Sequence, residues 1–273
     1  MRVISYALFG HSKVWGGANF YWQCVAGIVR AHHNLFPDWE LWLHHDDGDM
    51  TPLQGYAREG LIKLVPCGTV TARCAAMLWR MKPVWEPGVE YVLCRDVDSL
   101  PLPKDRRMVE AFVQSGMAAH SQSDNPSHTA HFMGGMCGFH VPQLLSLVSF
   151  KSWAEFMAAS RVDLTALTGG ADQQHLFNTL WNPLVARTIH HRLRWPNTSE
   201  AGGIPGTVTP LTNLHREVPN IAINDVPQHV LDHGDALTEY MGSAGFKVPE
   251  TIAFYDTHGK PEVTERVRKA EAC

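Results

Sequence analysis

Short apolar, β-prone runs alternate with helical patterns through the first half of the chain, and this alternation limits the fold more than any other feature. Val3–Phe9 reads as a strand that leads into a Gly-containing loop, His11–Gly17. Phe20, Cys24, Val25 and Ile28 then recur at helical spacing, with Asn19 as the expected N-cap. Glu40–His44 reads as a second strand after a Pro37-Asp38 turn, followed by a short helix near Pro52–Glu59 and a third strand at Leu61–Val65. Cys74, Met77, Leu78 and Met81 predict an amphipathic helix ended by Pro83. Tyr91–Cys94 is a fourth strand that runs directly into Arg95-Asp96-Val97-Asp98-Ser99. Such alternation implies right-handed βαβ units and a mostly parallel sheet flanked by helices. Ligands of these sheets bind beyond the carboxyl ends of the strands, where Asp96 and Asp98 fall.

The second half is less regular. Helices are expected at Arg106–Gln114, Lys151–Ala159 and Asp172–Leu180, the last entered through Gly169-Gly170-Ala171. Phe132–His140 reads as a Gly-rich strand, and Pro196–Pro210 as an irregular connection. A chain of 273 residues, 45% hydrophobic and with no internal repeat, has ample material for one large core. Its 27 acidic and 23 basic side chains leave a charge of −4, which argues against coating nucleic acid or anionic membrane by bulk charge. Cys24, Cys67, Cys74, Cys94, Cys137 and Cys273 are too scattered for a disulfide scaffold or a structural zinc module. Reduced thiols, the short apolar start and the lack of any run of about 20 apolar residues predict a soluble, cytoplasmic protein.

Asp96-Val97-Asp98 is the sharpest chemical signal. Two carboxylates one residue apart, just past a strand, suit a hard divalent cation such as Mn²⁺ or Mg²⁺. That cation would neutralise a diphosphate leaving group. The plain alternative is a pair of surface turn carboxylates.

The motifs, taken in order, resemble the GT-A-fold glycosyltransferases. Those that carry the resemblance are Leu78-Trp79-Arg80, Arg95-Asp96-Val97-Asp98-Ser99, Asp124-Asn125-Pro126-Ser127-His128 and Gly134-Gly135-Met136-Cys137-Gly138. They are most similar to a loosely characterised microbial and viral branch, distantly glycogenin-like, in which Arg is usual at Ser123 and Trp at Cys137. Trp15-Gly16-Gly17-Ala18-Asn19 and Phe36-Pro37-Asp38-Trp39 also look similar to that branch, and the likeness covers roughly residues 3–180.

The resemblance implies a metal-dependent enzyme that moves a sugar from a nucleotide-diphosphate sugar, such as a UDP-sugar, to a hydroxyl acceptor. Asp96 and Asp98 would hold the metal, with His233 as a third ligand and His258 as its competitor. Gly10, Arg73, Arg80, Asp96, Gly134 and Gly135 would bind the donor, the arginines by charge and the glycines by close backbone approach. Asp172 and Gln173, which resemble an Asp-Gln pair opening a helix, would be catalytic. Asp124, His128, Arg192, Arg194 and Trp195 are acceptor candidates, the last three within a basic strip that also holds Arg187, His190 and His191. The acceptor stays open between a glycan, a lipid-linked sugar, a protein, a small molecule and a hydroxymethylated DNA base. The viral branch adds the expectation of a virus-encoded enzyme acting in the host cytoplasm.

One GT-A-like domain over 1–273 is expected, with a nucleotide-binding half at about 1–100, an acceptor-side half at 101–224 and a closing segment at 225–273. Trp15, Trp22, Trp79, Trp85, Trp181 and Trp195 include candidates for stacking a sugar, although tryptophans at such positions more often fill cores. The rival readings are a sugar-phosphate nucleotidyltransferase and a catalytically degenerate binding protein. Phe9-Gly10-His11-Ser12-Lys13-Val14 has one glycine where a nucleotidyltransferase usually has a Gly-rich loop.

Overall fold

The computed structural model describes residues 1–10, 20–123, 130–165, 170–192, 207–210 and 248–272. Among these residues eight strands form one sheet: β1 (Arg2–Leu8), β2 (Glu40–His45), β3 (Lys63–Pro66), β4 (Tyr91–Arg95), β5 (Ala119–Ser123), β6 (Met136–His140), β7 (Thr188–Arg192) and β8 (Thr207–Pro210). Their order is β3-β2-β1-β4-β6-β5-β7-β8. All neighbours pair in parallel except β6, which runs antiparallel to both β4 and β5. The mostly parallel α/β architecture expected from the alternation is therefore the fold.

Helices cover both faces, which is why the central strands are apolar on both sides. On one face Ile4, Tyr6, Leu8 and Leu93 pack under α1 (Phe20–Leu35), α2 (Thr51–Arg58) and α4 (Pro103–Ser115). On the other, Val3, Val92, Cys94 and Cys137 pack against α5 (Val141–Leu147), α6 (Trp153–Ala158) and α7 (Ala171–Leu184). The last two described helices, α8 (Val248–His258) and α9 (Pro261–Glu271), return to the first face. There Arg30 of α1 binds Asp256 at 2.7 Å and Glu271 at 3.0 Å, while Val263, Val267 and Ala270 join the core. Among the described residues no helix is long and apolar enough to cross a membrane.

Several elements differ from expectation. The third strand begins at Lys63, two residues later than read, because Leu61 and Ile62 are buried in the turn that leads into it. The helix expected around Cys74–Met81 is a five-residue α3 (Arg73–Met77) that tightens into a 3₁₀ segment, Leu78–Trp85. Pro83 lies inside that segment and has no N–H to offer an α-helical ladder. The Gly-rich strand starts only at Met136, and Gly134-Gly135 form a turn before it. Within the basic strip, His190 and His191 are 2% and 0% exposed on an interior strand, so these two are core residues, while Arg187 is exposed.

Candidate active site

The site follows from strand order. The chain lays β1, β2 and β3 outward in one direction, then returns to place β4 on the other side of β1. The crevice between the carboxyl ends of β1 and β4 is thus a topological switch point, where such sheets receive ligands. Phe9 and Gly10 leave β1 there, and Asp96, Val97 and Asp98 leave β4. Because β6 is antiparallel and pairs Met136 with Arg95, the Gly134-Gly135 turn arrives beside Asp96. The register alone brings these motifs together.

Arg95 and Ser99 hold the carboxylate turn in place. The Arg95 side chain is 1% exposed, pairs with Asp105 at 2.8 Å, and donates to the carbonyls of Cys94 (2.8 Å) and Cys137 (3.0 Å). It ties β4 to β6 and to α4. The Ser99 amide closes the turn onto the Asp96 carbonyl at 3.0 Å. Neither role was read from the sequence. The available signal was a lone arginine ending an apolar strand, with Asp105 in the first turn of the next helix.

Arg80 joins the acidic groups. Its guanidinium is 3% exposed; Nη1 donates to Asp96 Oδ1, and Nη2 donates to Asp172 Oδ2 at 2.9 Å. Burial disfavours the Arg80 charge, but Asp96 and Asp172 more than offset this and hold it protonated. Asp96 is 41% exposed on its side chain, whereas Asp172 is 1% exposed. Burial raises the Asp172 carboxyl and the neighbouring Arg80 lowers it, with a net rise. The glycines leave room for this network. A Cβ on Gly134 would lie 2.5 Å from Asp172 Oδ2 and 2.7 Å from Arg80 Nη2, and one on Gly135 would overlap the Asp96 carboxylate.

A cavity of about 340 Å³ opens over these groups, lined by Phe9, Gly10, Tyr21, Val70, Arg73, Met77, Arg80, Asp96 and Asp98 among others. Its size falls within the range of about 300–1,000 Å³ typical of small-molecule sites. Gly10 is exposed with φ 56°, and its amide donates to Asp46 Oδ2 at 2.9 Å. Arg73 is exposed at the start of α3.

The Asp98 carboxyl is pushed up to about 6, first by burial and then by the Asp96 charge. Burial, and after it the Asp98 charge, raises the Cys24 thiol and the Tyr21 phenol. Arg80 offsets only part of the Asp98 rise, and a hard divalent cation would supply further positive charge. Among the described residues no group of three or more His, Cys, Asp or Glu side chains gathers to hold a metal. Two carboxylate ligands, completed by water and substrate phosphate, match the usual coordination of Mg²⁺, so the residues present fit such a cation.

The remaining candidates are dispersed. Gln173 is half-buried beside Asp172, and His258 packs on Phe254 at the end of α8. Trp79 is buried with its ring edge to Phe9 at 5.9 Å, behind the cavity wall. Trp85 sits among Phe150, Trp153 and Phe156, and Trp181 stacks with Phe177. Trp15, Asp124, His128, Arg194, Trp195 and His233 lie outside the described residues, as do the side chains of Trp22 and Arg192.

No protein-family model matches the chain, and no curated protein does. Among solved structures, one named as a nucleotide-diphospho-sugar transferase from Desulfovibrio desulfuricans G20 aligns with a TM-score of 0.43 and 13% identity, covering 87% of this chain and 96% of that one. Residues 1–349 of S. aureus TarS align with a TM-score of 0.43 and 9% identity, over 100% of this chain and 90% of that one. A glucose-1-phosphate thymidylyltransferase from Bacillus anthracis gives 0.40 and 11%, over 87% and 95%. Likenesses this loose carry no argument about the chemistry of this chain.

Proposed function

We propose that the protein is a metal-dependent glycosyltransferase that takes a sugar from a nucleotide-diphosphate sugar and passes it to a hydroxyl acceptor. One observation carries this reading: Asp96 and Asp98 both line a cavity at the switch point between β1 and β4. Asp98 and the free oxygen of Asp96 would hold Mn²⁺ or Mg²⁺. When bound, that ion would neutralise charge building on the leaving diphosphate.

Phe9, Tyr21, Val70 and Met77 give the cavity an apolar and aromatic wall suited to a base and ribose. Arg73, exposed on the same wall, would pair with a phosphate. Gly10 lets the chain past β1 approach the ligand closely. The first half of the chain would then hold the donor, and the acceptor would enter from the side of α7. A glycan or a hydroxymethylated DNA base would suit as acceptor, and a cytoplasmic setting would suit the free thiols.

The test is a panel of UDP- and GDP-sugars with Mn²⁺, read by thermal shift and by slow donor hydrolysis. A shift and hydrolysis that both require Mn²⁺, and that Asp98→Asn abolishes, support the reading. Absence of both in the wild type sinks it. Pyrophosphate release from a nucleoside triphosphate and a sugar phosphate would replace it with nucleotidyl transfer.

A further inference from the structure

We infer that Asp172 is a positioning residue that acts on Asp96 through Arg80, and that it does not touch the substrate. The inference rests on the proposed cation site and concerns how that site is held. Arg80 and Asp96 line the cavity; Asp172 does not, and its side chain is 1% exposed. Its Oδ2 accepts from Arg80 Nη2 at 2.9 Å, while Nη1 of the same guanidinium is given to Asp96. Its Oδ1 is buried with no hydrogen-bond partner among the described residues, so a substrate would reach it only after the covering groups moved.

The planar fork of Arg80 explains why this arrangement matters. A guanidinium can offer two parallel N–H groups to one carboxylate or divide them between two. Here they are divided, and Gly134 lies against both members of the Arg80–Asp172 pair. Without the charge of Asp172, Asp96 is the one carboxylate left to pair with the buried Arg80 among the described residues, and Arg80 would draw both Asp96 oxygens toward itself. Asp172 thus leaves one oxygen of Asp96 available to a cation. A lysine at position 80 has a point charge instead of a fork and cannot hold both carboxylates in this geometry.

Calorimetric titration with Mn²⁺, alone and with UDP, tests this on the wild type, Asp172→Asn, Arg80→Lys and the double variant. Asp172→Asn is expected to weaken Mn²⁺ binding about five- to tenfold, the size of coupling found between groups in one charge network. Arg80→Lys should weaken it similarly although the charge is kept, and the double variant should be no weaker than the worse single one. A residue that merely supported the fold would not produce that non-additive pattern. Wild-type affinity in Asp172→Asn, or additive losses in the double variant, overturns the inference while leaving the cation site standing. If Asp172→Asn does not fold, Arg80→Lys decides: full Mn²⁺ affinity there refutes the shared-fork argument. No Mn²⁺ binding by the wild type refutes the cation site itself, and the inference with it.

Discussion

Gly135→Ala is the smallest change aimed at the geometry of the site. A Cβ at Gly135 would occupy space now filled by both Asp96 carboxylate oxygens and its Cγ. The glycine is in a turn and does not have a left-handed φ, so the backbone itself tolerates alanine. The cost therefore comes from displacing Asp96. Because Asp96 is 41% exposed, its side chain has room to swing into the cavity, away from Arg80. Overpacking typically costs about 1–3 kcal/mol, and an escape route favours the lower end. For a chain of this size that corresponds to a fall in Tm of about 2–8 °C. Cation affinity should suffer more, since the displaced carboxylate is a proposed ligand; a loss of tenfold or greater is expected, or about 1.4 kcal/mol. Differential scanning calorimetry and Mn²⁺ titration on the same preparation separate the two effects. Wild-type Tm together with wild-type Mn²⁺ affinity would refute the reasoning, because it would mean that Asp96 does not sit against Gly135.

Three further outcomes follow from the packing. Gly55→Ala should destabilise strongly, by about 3 kcal/mol or more, because its Cβ would meet the Ala270 backbone, with the carbonyl carbon at 2.8 Å, and push α9 off α2. Chemical denaturation should show the loss, and loss of the C-terminal helices by truncation should remove it. Arg95→Met should cost about 3–5 kcal/mol by leaving Asp105 charged and buried, whereas Arg95→Met with Asp105→Leu should cost less than either single change. Stability should also fall in mild acid, since burial pushes His32 and His44 down to about 3 and His191 to about 4, against about 6.5 unfolded. These groups stay neutral in the fold while the unfolded chain takes up protons below pH 6.5. Their stability is therefore intact above that pH and lost as pH falls toward 4, by about 4 kcal/mol for the three together at pH 5.5. Equal urea midpoints at pH 7.5 and 5.5 would contradict this.

β1, β2 and β4 were legible because each is apolar enough to be buried on both faces, whereas the edge strand β3 is only half-buried and was signalled by the apolar residues before it. Asp96 and Asp98 could be placed at a strand end for the same reason. β5 was not legible. Its Ala-His-Ser-Gln-Ser run is polar, yet His120, Ser121 and Gln122 are all buried beside Arg95 and Asp105. Local pattern cannot show that Gln122 donates to Asp105 at 2.7 Å, or that His120 stacks on Phe112 with ring centroids 4.7 Å apart. The same limit applies to Arg80. Its sequence position suggested a phosphate ligand, whereas the fold buries it between two carboxylates brought from β4 and α7. Asp172 looked like a cap or a catalytic group, and only the tertiary pairing showed what its charge faces.

The central claim is that Asp96 and Asp98 form a cation-dependent nucleotide-sugar site. Calorimetric titration of UDP into the wild type, with and without Mn²⁺, tests it most directly when repeated on Asp98→Asn. UDP binding should strengthen at least tenfold with Mn²⁺ in the wild type, a gain of about 1.4 kcal/mol, with no such gain in a folded Asp98→Asn protein. Mn²⁺-dependent UDP binding of equal strength in both proteins would contradict it.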